Sequence, residues 1–401
     1  MQNKQFTSTA LVAGTCIGGG TIALPIVLAK FGIIPSIITI VATWLLIYYT
    51  SLVGTELNLQ SEIGLSLGEL GKKFSGKGAQ FIGEFCVKLL SYAVLVVYLS
   101  GASSILQKLT EEYFGMSISM VTVETGMAIF CAIILAFPTK IVSVVNNVSI
   151  MGLVVLLFTL LCAMFALIDY TKIPWMVSHE LTMNDMLIVI TVIFASYGYH
   201  LILHNIREYC GKDHKTLRKS ILYGSLIATT VYIVWAGTSL SVIFRSNPNF
   251  FYKIVNGSVE AGDLVRELAK ASGLASFQVL VWWMSVLAIF TSFLGVSLGL
   301  FESMDLTLKN KIKEKNNRKM ISTVIIVIPV YIVSVFVPNA FVNVLGFAGS
   351  ILVVIGIFLP IYLFFKAKIN TPYFKELKKY PLVFCCVLGA IIMAAEAFLV
   401  N

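Results

Sequence analysis

The sequence predicts an all-α integral membrane protein with 11 transmembrane helices, and three observations carry that prediction. The chain of 401 residues is 58% hydrophobic and only 12% charged, well above the apolar share of about half found in soluble domains. Its apolar runs reach the roughly 20 residues needed to cross a hydrocarbon core about 30 Å thick. Two of these runs, the first and the sixth, are interrupted midway by Gly14-Thr15-Cys16-Ile17-Gly18-Gly19-Gly20 and by Ser196-Tyr197-Gly198-Tyr199-His200. Backbone that leaves a helix at membrane depth strands N–H and C=O groups, which is tolerable only where protein or a watery cavity satisfies them. Paired breaks in the two halves of a chain point to a transporter built from inverted repeats, with each break lining the binding site.

In chain order the spans fall at residues 6–29, 33–54, 81–104, 120–137, 146–168, 184–203, 220–244, 276–302, 320–337, 341–366 and 382–400. The first is too long for a cleavable signal and lacks a small-residue cleavage site after a basic start, so it is expected to stay as helix one. Span 120–137 is the shortest. Residues 57–80 mix carboxylates, lysines and glycines, as a cytoplasmic connection would. Residues 245–275 are polar, but Val259, Leu264, Val265, Leu268 and Ala269 are spaced for one amphipathic external helix, covering the extracellular entrance or else forming part of a linker.

The net charge of +9 follows a membrane rule rather than a nucleic-acid one. Basic residues crowd into alternate connections, with Lys72, Lys73 and Lys77, then Lys212, Lys215, Arg218 and Lys219, then six between residues 309 and 319, then Lys366, Lys368, Lys375, Lys378 and Lys379. That bias places the N-terminus in the cytoplasm and, with an odd number of spans, the C-terminus at Asn401 on the opposite side. The same loops suit contact with anionic lipid. The seven cysteines are scattered, apart from Cys385-Cys386, and form neither a disulfide frame nor a metal spacing. No cofactor, metal or nucleotide fingerprint is present, which disfavours an ATP-driven machine.

Helix one carries the strongest local signal. Gly14, Gly18, Gly19 and Gly20 leave the backbone open to a ligand, although Gly14 and Gly18 also form a small-xxx-small packing pair. A run of three glycines weakens a helix without adding packing at every position, which favours a true break. N–H groups opening the second half-helix suit a carboxylate, and carbonyls closing the first half suit an ammonium group or cation. In helix six, Ser196 and Gly198 can release the backbone, while Phe194, Tyr197 and Tyr199 offer faces for stacking, or else serve as core aromatics. His200 and His204 stand four residues apart, and histidine titrates near neutral pH. Glu84 and Lys88 lie one turn apart on helix three, so they form either a mutually neutralising pair or a proton-coupling site. Glu396, on helix eleven, is expected at a packing interface or the external surface.

The string Gly14 to Gly20, continuing Thr21-Ile22-Ala23-Leu24-Pro25, resembles the first-helix motif of the bacterial hydroxy and aromatic amino acid permease family. Ser91-Tyr92 through Tyr98-Leu99-Ser100-Gly101, Phe194 to His200, and Thr291-Ser292 through Leu300-Phe301 are similar to that family's third, sixth and eighth helices. The chain departs from the pattern at Gly19-Gly20, where alanine is common, and at Tyr197 and Tyr199, where phenylalanines are usual. The resemblance implies a leucine-transporter-type 5+5 inverted repeat, with residues 1–168 and 184–366 as the repeats and 382–401 as an added eleventh helix. It further implies uptake of tyrosine, tryptophan or phenylalanine through the bacterial inner membrane, driven by protons. Thr291 and Ser292 occupy the place where hydroxyls hold sodium in other transporters of that fold, so sodium coupling is the alternative.

The expected substrate site lies between the breaks. Gly14, Thr15, Ile17, Gly18, Gly19 and Gly20 would line it from helix one, with amides near Gly18–Gly20 meeting the carboxylate. Phe194, Ser196, Tyr197 and Gly198 would line it from helix six, with carbonyls near Phe194 and Ser196 meeting the ammonium group. The ring would lie toward Tyr92, Val96, Tyr197 and Trp283, and Gly14 and Gly198 would act as hinges. His200, Glu84, Lys88, Thr291 and Ser292 are the candidates for ion coupling. A channel would need a regular polar stripe and an enzyme would need converging reactive groups; neither is visible. A transporter-derived sensor or scaffold is the remaining alternative.

Overall fold

A computed structural model describes residues 2–61, 63–177, 181–257, 259–309, 311–337, 340–369 and 372–399. Asn401 and the side chain of Glu396 lie outside the described residues. The described chain is helical throughout: α1 (Gln2–Cys16), α2 (Gly20–Leu28), α3 (Ile33–Leu59), α4 (Leu67–Ser75), α5 (Lys77–Phe114), α6 (Met120–Ala136), α7 (Thr139–Ala166) and α8 (Met183–Tyr197) come first. A 3-10 turn at Tyr199–Ile202 then leads into α9 (Leu203–Cys210), α10 (His214–Ser246), α11 (Pro248–Val255), α12 (Ala261–Lys270), α13 (Ala275–Leu308) and α14 (Lys315–Phe336). Finally come α15 (Ala340–Val353), a π turn at Val354–Phe358, α16 (Leu359–Lys366) and α17 (Lys379–Leu399).

Among the described residues, eight helices are long and apolar enough to cross a membrane, and α1 with α2 makes a ninth if that bent pair is one span. The shorter apolar helices α6 and α17 stand where the fourth and eleventh spans are expected. The chain is therefore a multi-pass membrane protein. Burial sorts the spans into inner and outer ones. The most apolar window of Ala340–Lys366 is 83% buried, whereas those of α7 and α14 are only 22% buried. Val148, Met151, Val155 and Phe158 of α7 are exposed, and an apolar stripe of that size facing outward is a lipid-facing surface rather than a soluble one.

Two connections hold more structure than the sequence suggested. Within residues 57–80, α4 begins at a capping box in which the Ser66 hydroxyl accepts from the Glu69 N–H and the Glu69 carboxylate accepts from the Ser66 N–H, the usual remedy for free N-terminal amides. Within residues 245–275 there are two short helices, α11 and α12, rather than one. Leu264, Val265, Leu268 and Ala269 face inward from α12 as expected, and Val259 is buried just ahead of it. At the start of α10, Asp213 caps the helix; the Thr216 hydroxyl and the amides of Thr216 and Lys215 hold its carboxyl below the usual carboxylate range.

A buried acid ties the last connection to the body. Glu56, fully buried on α3, accepts from the N–H groups of Tyr373 and Phe374 at 3.2 and 3.1 Å and from the Gln60 side chain at 2.8 Å. Arg218 pairs with Glu376 at 2.8 Å, and the Tyr49 hydroxyl donates to the Glu376 carbonyl. Glu56→Ala is expected to leave two amides without an acceptor, at about 1–3 kcal/mol for each buried one. Thermal unfolding in detergent should show the loss, while Arg218→Ala, at an exposed pair, should change stability far less.

Candidate functional site

The first helix breaks where the glycines cluster, at Ile17–Gly19, and α1 and α2 meet there at 53°. Three different helices press on the three glycines. A Cβ on Gly18 would stand 2.1 Å from Ser292 Oγ, one on Gly19 would stand 2.6 Å from the Tyr98 ring, and one on Gly20 would stand 2.9 Å from Ser196 Oγ. The run is therefore required for close approach as well as for the break. Gly14 differs: it lies inside the continuous helix α1, is exposed, and has nothing within 4 Å of an added Cβ. Neither the hinge nor the packing pair expected at Gly14 matches this position. Thr15 is also exposed, its hydroxyl donating to the Leu11 carbonyl, and Ile17 is half-buried at the break.

The sixth span is interrupted more gently. α8 ends at Tyr197, Gly198 takes φ +53°, and the chain tightens into the 3-10 turn before α9. Only glycine adopts that left-handed conformation without strain. The overall bend stays below that of the first break, so residues 185–210 still read as one span.

The two breaks lie side by side. The Cys16 thiol donates to the Tyr197 carbonyl at 3.1 Å. The Tyr232 hydroxyl of α10 lies 2.7 Å from the Cys16 carbonyl and 2.6 Å from the Ser196 carbonyl, so one side chain bridges the last turns of α1 and α8. Trp235, one turn on, donates to the Thr21 carbonyl at 2.8 Å. Ser292 of α13 accepts from the Gly19 N–H at 3.0 Å, and the ring of the half-buried Tyr98 of α5 lies against Gly19. Among the described residues, no hydrogen bond uses the N–H of Gly18 or that of Gly198. One free amide thus remains in each break, an arrangement suited to an anion.

This junction modifies the expected roles. The Ser196 carbonyl, assigned to an ammonium group, is engaged by Tyr232, and the Gly19 amide, assigned to a carboxylate, is engaged by Ser292. Tyr197 and Phe194 are fully buried: the Tyr197 hydroxyl pairs with Thr229 at 2.7 Å and its ring meets Tyr232 edge-on, while Phe194 stacks on His200. Thr291 donates within its own helix. Val96 is buried in the core.

Four residues expected at the site do not join the junction. Trp283 is 58% exposed; it lies nine residues before Ser292, and at about 100° per residue this places it on the opposite face of α13. Tyr92 hydrogen-bonds the Ile325 carbonyl of α14 instead, because it lies six residues before Tyr98 and faces another direction. Among the described residues Glu84 and Lys88 form no ion pair: Glu84 accepts from Gln80 at 2.8 Å and Lys88 donates to Thr307 at 3.1 Å. α5 begins at Lys77 rather than near Phe81, so Glu84 sits close to its end, exposed beside α4.

Residues 1–399 match the model of the tryptophan/tyrosine permease family along nearly the whole chain. The chain belongs to that family. It is 30% identical to tyrosine-specific transport system 1 of Haemophilus influenzae over 97% of its own length and 96% of that protein. It is also 27% identical to tyrosine-specific transport system 2 of the same organism, covering 98% and 96% of the two chains. With a tryptophan-specific transport protein of that organism it shares 28% identity over 84% and 82%. The protein is thus a membrane permease, not an enzyme. Four junction residues of this permease escaped the sequence reading as contacts: Cys16, Tyr98, Tyr232 and Trp235. Cys16 and Tyr98 lay inside quoted motifs, but Tyr232 and Trp235 sit in an unbroken apolar helix where no local pattern distinguishes them.

Proposed function

We propose that this permease imports an aromatic amino acid, tyrosine foremost, by proton symport with alternating access. In this reading the substrate carboxylate binds the free amides of Gly18 and Gly198, and the ring packs toward Tyr98, the half-buried aromatic at the break. Residues 1–168 and 184–366 act as inverted repeats, with 382–401 as the added helix. The N-terminus faces the cytoplasm and the C-terminus the opposite side of a bacterial inner membrane. The bundle of α1, α2, α3, α8, α9 and α10 rocks against the remaining helices.

The observation that carries this reading is the abutment of two broken spans, bridged by Tyr232 and each holding a free amide. Relatives named for tyrosine and tryptophan transport favour an aromatic substrate. Proton coupling is preferred to sodium because Ser292 already accepts the Gly19 amide, whereas His200 is a titratable group beside the second break. The test is uptake of labelled tyrosine into proteoliposomes, with each common amino acid as competitor and with pH and sodium gradients imposed separately. Tryptophan and phenylalanine should compete, and an inward proton gradient alone should drive accumulation. Accumulation driven only by sodium, or competition only by non-aromatic amino acids, would refute the proposal.

A further inference from the structure

Beside the second break lies a cavity of about 90 Å³. Gly54 and Asn58 of α3, Ser66 ahead of α4, Val87 of α5, and His200 and His204 are among its walls. That volume has room for several waters, and Asn58, Ser66 and the histidines supply the polar partners that buried water requires. Among the described residues no wall comes from α1, α2 or α13, the helices around the glycine run.

His200 is one of its half-buried walls. Its Nε2 lies 3.2 Å from the Thr50 hydroxyl, and among the described residues its Nδ1 has no hydrogen-bond partner. A neutral imidazole carries one donor and one acceptor, so one ring nitrogen is uncommitted. The ring stacks on Tyr199 at 5.2 Å, and its other edge lies against Gly356 of the π turn, where an added Cβ would come within 3.3 Å. π turns recur at functional positions in helices. His204 lies on the first turn of α9, one turn beyond His200, with Glu208 of α9 and Glu69 of α4 as nearby charges. Other charged groups on the walls' helices include Arg207 of α9, buried and donating to the Ser61 carbonyl, Lys72 and Lys73 of α4, Lys77 of α5, Glu84 and Lys88 of α5, engaged by Gln80 and Thr307, Glu56 of α3, engaged by residues 373 and 374, and Lys366 at the end of α16.

We infer that this cavity is a hydrated passage through which the coupling proton moves between the cytoplasm and His200, by way of His204, apart from the substrate's own route. The inference rests on the proton-symport reading above. Two assays on the same proteoliposomes separate the two. Counterflow of labelled tyrosine, with no gradient imposed, reports substrate exchange, and accumulation under a pH gradient reports coupled proton movement. His204→Gln removes the relay, and Val87→Trp fills the cavity. Each should lower gradient-driven accumulation and the accompanying proton uptake by about tenfold while leaving counterflow within about twofold of the unmodified protein. Unchanged gradient-driven accumulation in both variants would overturn the passage, as would an equal loss of counterflow and accumulation, which marks a merely structural role. Absence of any pH-driven accumulation in the unmodified protein would instead overturn the symport reading itself, and the passage with it.

Discussion

Gly18→Leu is expected to abolish tyrosine uptake while leaving the protein inserted in the membrane. The first added carbon would stand 2.1 Å from Ser292 Oγ, far inside van der Waals contact, and three more carbons follow it. Ser292 can turn aside for a single methyl, but in doing so it gives up the Gly19 amide at 3.0 Å. Overpacking of this kind costs about 1–3 kcal/mol, which a protein of this size survives as a fold. The break itself, however, is displaced and the Gly18 amide is shielded. Gly18→Ala should therefore give an intermediate loss, and Ser292→Ala alone, which removes the acceptor of the Gly19 amide without adding bulk, should give a smaller one. Uptake normalised to the amount of protein in the membrane measures all three. Normal accumulation by Gly18→Leu would remove Gly18 from the site.

Tyr232→Phe should produce the second large effect. The substitution keeps the ring that meets Tyr197 edge-on at 5.1 Å but removes the hydroxyl that faces the Cys16 and Ser196 carbonyls. Each buried carbonyl left without a partner costs about 1–3 kcal/mol, and both belong to helix ends that form the junction. Thermal stability and tyrosine affinity should fall together, with affinity reduced about tenfold or more, since 1.4 kcal/mol is tenfold in a binding constant. Tyr197→Phe is the internal comparison. It loses one side-chain bond, to Thr229, and should cost only about 1 kcal/mol. Equal effects of the two substitutions would show that the bridge between the breaks contributes nothing of its own.

Much of this architecture was legible in the residues because membrane solvation is a severe constraint. Apolar runs and their order followed from hydropathy, and the first break followed from three consecutive glycines, which helices rarely carry without cause. The second break was legible through Gly198, though not its mildness, because a 3-10 turn restores most of the helical direction. What local patterns could not supply was rotation. Tyr92 and Tyr98 sit in the same motif, yet only Tyr98 faces Gly19, and Trp283 shares α13 with Ser292 but points the opposite way. Helix length mattered as well. Glu84 and Lys88 looked like a buried pair only while α5 was taken to begin at Phe81; starting at Lys77, the helix carries Glu84 beside α4, where it finds Gln80. Tyr232 and Trp235 were invisible because a tyrosine or tryptophan in a continuous apolar helix reads as core until its partner is known.

A structure of the protein loaded with tyrosine in lipid, determined by cryo-electron microscopy, would decide whether the paired breaks bind substrate. The expected density has the carboxylate at the N–H groups of Gly18 and Gly198 and the phenol toward Tyr98. Tyrosine bound elsewhere, with both breaks empty, or two spans that wind on without interruption at Gly18 and Gly198, would contradict it.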